Sequence, residues 1–313
     1  MVYKKFKEQF NDVDMKFNEP LKHYSYTETG GPGDVLVFPK TIDQVERLVQ
    51  YAHQEKIPLT VIGNASNLII REAGIQGIVL VLTKLCQLKV EGEKLLAEAG
   101  AGLIQASQLA TEHHLTGLEF ACGIPGSLGG AIFMNAGAYG GEMSHIVESI
   151  EVITQAGELK TIPREALHFS YRHSVVRETG DVVVRVTMAL SKGNISEIKE
   201  TVATLTELRE NRQPLELPSC GSVFKRPEGL YPGALIQKAG LQGFQIGGAQ
   251  VSTKHAGFIV NVDHATASDY LAVIQAVQKK VAEEFAVELQ PEVLIIGRET
   301  ANREGLEDEE TLD

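Results

Sequence analysis

The 313-residue chain carries 29 basic and 41 acidic residues, a net charge of −12, with six of the acids in the run 304–313. With 43% hydrophobic and 22% charged residues it is neither disordered nor basic enough to be a nucleic-acid binder, and its length predicts about two or three domains. Three widely spaced cysteines, nine histidines without ligand spacing, no apolar leader and only short apolar runs argue against a disulfide framework, a metal site, secretion or a membrane span. They predict a cytoplasmic protein with no metal and no obligate protein partner.

In chain order, Phe6, Phe10, Val13 and Phe17 recur at helical spacing and predict one amphipathic helix. A polar loop ending in Gly30, Gly31 and Gly33 follows, then a strand at 35–38 stopped by Pro39. Thr41 and Gln44 read as a capping box before a helix with the stripe Val45, Leu48, Val49 and Ala52. Strands at 59–62, 68–70 and 78–82 complete a βαβ pattern. A hairpin at 88–100, a helix at 103–115, a glycine-dense stretch at 117–141, a second hairpin and a strand at 182–190 make a second block. Residues 195–212 read as a helix with Ile198, Val202, Leu205 and Leu208 on one side. A third block holds strand-like residues 220–224, a helix from Pro232, an apolar strand at 258–262 and a helix at 266–285 boxed by Thr266 and Asp269. A last strand at 293–296 precedes the acidic tail.

Two glycine-rich loops carry the chemistry. Gly63, Asn64, Ala65, Ser66 and Asn67 lie between two strands, where small residues let backbone N–H groups face a phosphate, although an ordinary β-turn has the same composition. Residues 123–130 (Gly123, Ile124, Pro125, Gly126, Ser127, Leu128, Gly129, Gly130) and 135–141 together hold seven glycines. A core helix would not tolerate them, and a flexible linker would not interleave Ile132, Phe133 and Met134, so this backbone packs close to a ligand. Two such loops suggest an extended dinucleotide. No P-loop is present, and Gln105 stands where a Rossmann turn would need its third glycine.

Three smaller motifs follow. Tyr171-Arg172 offers a planar guanidinium for a carboxylate, or a structural ion pair. Gly221 frees space beside Ser222 and Lys225, or marks a tight turn into a strand. Glu292 stands at the mouth of an apolar strand, partly desolvated or simply solvated. If 220–224 is extended, Cys220 and Ser222 share a face, and the thiol, with an ordinary pKa of about 8.5, is the stronger acid.

The order of segments 63–67, 123–142, 170–174, 219–225, 247–261 and 290–293 resembles the UDP-N-acetylenolpyruvoylglucosamine reductase family over about residues 20–297. The resemblance implies an α+β fold: a two-subdomain FAD-binding module of the vanillyl-alcohol-oxidase type plus an α+β substrate-binding domain. Residues 1–85 with 290–303 would form the first subdomain, 86–195 the second and 196–289 the substrate domain. It further implies FAD on Gly63, Asn64, Ala65, Ser66, Asn67, Gly123, Ile124, Pro125, Gly126, Ser127, Gly129, Gly130, Gly137, Ala138 and Arg209. No histidine occurs in 63–67, so the FAD would be non-covalent.

Arg172, Ser222 and Glu292 would be catalytic, and Tyr171, Arg212, Lys225, Arg226 and His255 would contact a UDP-sugar. NADPH would reduce FAD, hydride would pass from flavin N5 to a vinyl carbon, Arg172 and a protonated Glu292 would steady the enolate, and Ser222, aided by Lys225, would protonate it. That reaction belongs to peptidoglycan synthesis, and so to cell-wall growth and division. Ala65 replaces a common glycine and must then avoid a glycine-only conformation; Arg226 replaces a common amide. The chain looks like the shorter subtype, without an inserted tyrosine loop. An FAD-dependent oxidase of the same fold, a non-catalytic sugar-nucleotide binder and a flavin-free structural protein stand as alternatives.

Overall fold

A computed structural model describes residues 2–299; the acidic run at 304–313 lies outside the described residues. Strands Asp14–Pro20, Pro32–Phe38, Ile75–Val81 and Leu59–Ile62 form the first sheet in that spatial order, the first pair antiparallel and the others parallel. The Ile42–Gln54 helix makes the crossover that parallel strands require. Side chains alternate across the sheet. Val35 and Val37 join Val45 and Leu48 in the main core, while Leu36 and Phe38 join Leu21, Ile62 and Ile70 on the other face. A strand buried on both faces reads as an unbroken apolar run, as residues 35–38 do.

Local capping follows the sequence signals with one shift. Thr41 Oγ1 accepts from the Gln44 N–H at 3.2 Å, but the Gln44 side chain accepts from Lys40, not Thr41. The Thr266–Asp269 box is complete. The N-terminal stripe is corrected. The helix covers only Val2–Gln9, the chain turns at Asn11 and Asp12, and Phe17 lies on the first strand, 38% exposed. Phe6 and Phe10 still pack on Tyr51, with ring centroids 5.3 and 5.4 Å away.

The second sheet is antiparallel, in the order Leu159–Pro163, Val147–Ile153, Val182–Ala189, Lys94–Glu98 and Leu88–Glu91. Leu103, Ala106, Leu128 and Ile132 from its helices enter the same main core as the first sheet, so the two sheets pack as one body. The Ile195–Arg212 helix packs on this body, against Leu103–Glu112, Leu115–Thr116 and Glu119–Ala121.

The third sheet, in the order Ser219–Ser222, Phe258–Asn261, Ala249–Val251 and Gln245–Ile246, has its own core. Val223, Ile236, Tyr270 and Val277 fill it, beneath helices Pro232–Lys238 and Ala267–Phe285. Two connections tie it back. Leu294–Ile296 pairs in parallel with Leu68–Ile70. The buried Asn261 side chain donates to the Thr27 carbonyl at 3.0 Å and accepts from the Ala265 N–H at 2.8 Å.

The glycines before the second strand mark a backbone crossing. At Gly74, with φ +72°, a Cβ would lie 1.8 Å from the Pro32 carbonyl oxygen; Gly92, with φ +65°, faces open space. Gly74→Ala should therefore destabilise by about 2 kcal/mol or more, a fall of roughly 5 °C in thermal midpoint. Gly92→Ala, with left-handed strain alone, should cost about 1 kcal/mol. Equal midpoints for the two variants would remove the crossing from the account.

Candidate active site

A cleft of about 1010 Å³ opens where the three sheets meet. The loop 63–67 lines it from the first, residues 124–140 and 172–183 from the second, and Ser222, Arg226, Tyr231 and His255 from the third. A separate cavity of about 660 Å³, beside residues 22–31 and 261–267, contains none of the catalytic or ligand-binding residues expected from sequence.

The two glycine loops abut. A Cβ on Gly63 would come within 2.0 Å of Ser127 Oγ, so only glycine lets the loops approach this closely. Their backbones differ in use. The N–H groups of Ile124, Gly126, Leu128 and Gly129 already donate to the carbonyls of Ala121, Ile124, Ala101 and Ala99. Among the described residues, no acceptor takes the amides of 63–67. The first loop therefore presents free donors, and the second a smooth glycine floor. Ala65 sits at φ +49°, in the left-handed region, which costs an alanine about 1 kcal/mol but does not demand glycine.

Arg209 reaches the cleft from the last turn of the Ile195–Arg212 helix. Gly123 does not line the cleft but makes room for this arginine, since a Cβ there would meet Arg209 Cδ at 2.5 Å. Burial lowers the Arg209 pKa, and its Nε has no hydrogen-bond partner; neither does Gln213 Oε1 nearby. A buried donor and a buried acceptor on the cleft, beside a loop of free amides, fit a polar, phosphate-bearing dinucleotide such as FAD.

Arg172 occupies a tight turn closed by reciprocal backbone hydrogen bonds between Ser170 and His173, and has φ +55°. The buried Asn135 amide donates to the Ser170 carbonyl and ties the turn to the glycine-rich segment. Arg177 donates to the Arg172 carbonyl at 2.7 Å. Arg172 Nε contacts Glu292 Oε1 at 2.6 Å, and its Nη2 reaches the Gly137 carbonyl at 3.3 Å. Among the described residues Nη1 has no partner. Tyr171 donates its hydroxyl proton to Glu292 Oε2 at 3.0 Å. Glu292 is held in turn by its own N–H, which donates to the Val223 carbonyl at 2.7 Å.

The structure separates Cys220 from Ser222. Gly221 adopts φ +75°, the strand register shifts between Ser219 and Ser222, and the alternation breaks. Ser222 is exposed on the cleft; Cys220 is 2% exposed in the core, with its thiol pushed up to about 12 by burial. The expectation that the two share a face is overturned.

Lys225 does not line the cleft. Its N–H pairs with the Gln290 carbonyl, which leaves Arg172, Arg209, Arg212, Arg226 and His255 as the bases that do. Pro125, Tyr171 and Glu292 likewise lie off the lining, the last two bonded to one another beside Arg172. His255 Nδ1 accepts from the Gly257 N–H, so the neutral ring carries its proton on Nε2; burial lowers its pKa. Gln213 and Tyr231 line the cleft without having been singled out from sequence, and Tyr139 only as part of the segment 135–141. Only Tyr231 had a local signal, as the residue before the helix-opening Pro232.

Fold and cleft together define an FAD-binding protein. A profile described as "FAD binding domain" matches residues 32–163, and one described as "UDP-N-acetylenolpyruvoylglucosamine reductase, C-terminal domain" matches residues 213–296. The chain is 55% identical to UDP-N-acetylenolpyruvoylglucosamine reductase of Lactiplantibacillus plantarum, over 93% of this chain and 96% of that one. It is 53% identical to the reductase of Enterococcus faecalis, over 93% and 97%. It superposes on the crystal structure of the Thermus caldophilus reductase with a TM-score of 0.78 and 32% identity, over 90% of this chain and 98% of that one. The chain belongs to the UDP-N-acetylenolpyruvoylglucosamine reductase family.

The free amides of 63–67 generate a direct test. Ser66→Trp should fill the first loop and yield folded but colourless protein on purification. Stoichiometric yellow flavin in that variant would place the cofactor elsewhere.

Proposed function

We propose that the chain reduces UDP-N-acetylglucosamine enolpyruvate to UDP-N-acetylmuramate in the cytoplasm, using NADPH and non-covalent FAD, for peptidoglycan synthesis. The observation that carries this reading is the convergence of Arg172 and Ser222 from separate units on one cleft, with Glu292 bonded to Arg172 just behind its lining. FAD, when bound, would supply the two-electron hydride chemistry between NADPH and the vinyl carbon. The amides of 63–67, with Gly126, Ser127 and Gly130 as floor and Arg209 at the side, are the residues that hold the cofactor. Arg212, Arg226 and His255 are the cleft groups suited to a sugar nucleotide's diphosphate.

Arg172 orients the substrate carboxylate through its planar guanidinium, with Nη1 free to donate. As electrons reach the double bond, charge grows on the carboxylate side, where Arg172 and Glu292 are already fixed in place. Ser222, exposed at the Gly221 bulge, gives its proton to the carbon that carries the ether oxygen. Cys220, although intrinsically the stronger acid, is shut in the core with its thiol held at about 12. The charge left on the serine oxygen is offset by the arginines of the cleft, a role that Lys225 does not take.

The two half-reactions test this. In the wild type, anaerobic NADPH should bleach the flavin and the enolpyruvyl sugar nucleotide should restore its colour. Ser222→Ala should bleach normally and recolour about 10²-fold more slowly, with Ser222→Cys recovering part of the loss. Cys220→Ala should match the wild type. Loss of recolouring in Cys220→Ala but not in Ser222→Ala would reverse the donor assignment; failure of the wild type to recolour would remove the activity.

The carboxylate-binding pair predicts a second pattern. Glu292→Gln, which keeps a hydrogen-bond donor, should retain much more activity than Glu292→Ala. Arg172→Lys should lose most of it, because a lysine cannot match a planar carboxylate. Equal losses in the two Glu292 variants would exclude a donor role for this side chain.

A further inference from the structure

Tyr171 is 53% exposed, yet its hydroxyl both accepts and donates a hydrogen bond. It accepts from the Arg226 backbone N–H at 3.2 Å and donates to Glu292 Oε2 at 3.0 Å. These contacts run from a turn of the second unit to a loop of the third and to the returning segment at 290–293. Arg172 Nε takes the other oxygen of the same carboxylate, and the Arg172 guanidinium lies 5.1 Å from the Tyr171 ring centroid. Two adjacent residues of one two-residue turn thus grip the two oxygens of Glu292 and fix the plane of its carboxyl group.

We infer that Tyr171 is a positioning residue for Glu292, holding one oxygen of its carboxyl group, rather than a contact for the sugar nucleotide. The inference rests on the proposed reduction. Tyr171 is off the cleft lining, whereas Arg172 is on it. A phenol has one donor and two acceptor sites. With one acceptor site taken by Arg226 N–H, Tyr171 can donate to a Glu292 carboxylate or accept from a Glu292 carboxylic acid. It therefore stays bonded to Oε2 in either state, and leaves Oε1 and Arg172 to meet the substrate.

Burial of the hydroxyl end, with Glu292 adding to it, raises the phenol above its ordinary pKa, so Tyr171 keeps its proton at neutral pH. The charged groups acting on it are Glu292 and Arg172 on its own turn; Arg226 offers its backbone N–H, its guanidinium lying 4.7 Å from the Tyr231 ring centroid, and Glu142 interacts with Arg172.

The test is Tyr171→Phe in the flavin-loaded enzyme, with flavin content and thermal midpoint checked against the wild type. Steady-state turnover should show kcat down about tenfold, with KM for the enolpyruvyl sugar nucleotide within about twofold of the wild type. The pH profile of kcat should shift relative to the wild type. In a Glu292→Gln background, Tyr171→Phe should leave the pH profile where Glu292→Gln alone puts it. A raised KM with kcat preserved would make Tyr171 a direct substrate contact and overturn the inference. So would unchanged kinetics, or a shift that persists without Glu292. A wild type that fails to turn over overturns the proposed reduction instead, so the two failures are distinct.

Discussion

The ion pair between Arg172 and Glu292 is the contact on which the cleft depends. Its two residues lie 120 positions apart, and neither is solvated: 22% of one side chain and 12% of the other remain exposed. Such a pair adds little net stability, because taking both charges out of water offsets most of their attraction. Its consequence is geometric. Arg172 is set by the Ser170–His173 turn, which Asn135 anchors to the glycine-rich segment; Glu292 is set by Val223 and by the strand that follows it. The flavin module and the third unit thereby meet at a carboxylate as well as at the apolar contact where Ile69 enters the third core.

The glycine loops show how similar composition leads to different work. Both are small, flexible-looking segments flanked by apolar residues. The amides of the second loop are mostly satisfied by the 99–101 and 121–124 carbonyls, which pins the short Leu128–Phe133 helix against the core. The first loop is held instead at its middle, by the Ala65 carbonyl accepting from the Tyr26 N–H, and at its far end, by Asn67 donating to the Glu292 carbonyl. Anchored in this way with its backbone amides free, the loop has few groups to reorder when a ligand binds. The left-handed Ala65 is part of that curvature.

Much of this was legible in the sequence, and the exceptions have physical reasons. Strands such as 35–38 and 78–81 announce themselves because two-sided burial leaves no polar position. Thr266 and Asp269 were readable because capping uses only local atoms. The opening stripe misled because helical spacing continued by coincidence across the turn at Asn11 and Asp12. Cys220 and Ser222 were misaligned because a bulge depends on one backbone angle at Gly221, which glycine permits but does not dictate. Which loop amides stay free, why Gly123 yields to Arg209, and where Gln213 points are set by distant partners that carry no local signature. The proposed roles of Arg172, Ser222 and Glu292 come from the order of their motifs along the chain, not from spacing.

The return of the chain at Leu294–Ile296 has a consequence for synthesis. The strand it pairs with ended more than two hundred residues earlier, and Asn67, at the edge of the phosphate loop, bonds a residue 225 positions away. Contacts of such separation form late, because the intervening chain must be ordered before they close. While the protein is still on the ribosome, the first loop has its sequence but not its far edge. The finished first loop therefore waits for residues 292–296, and a chain truncated before them lacks the partners of a loop whose glycines it already contains.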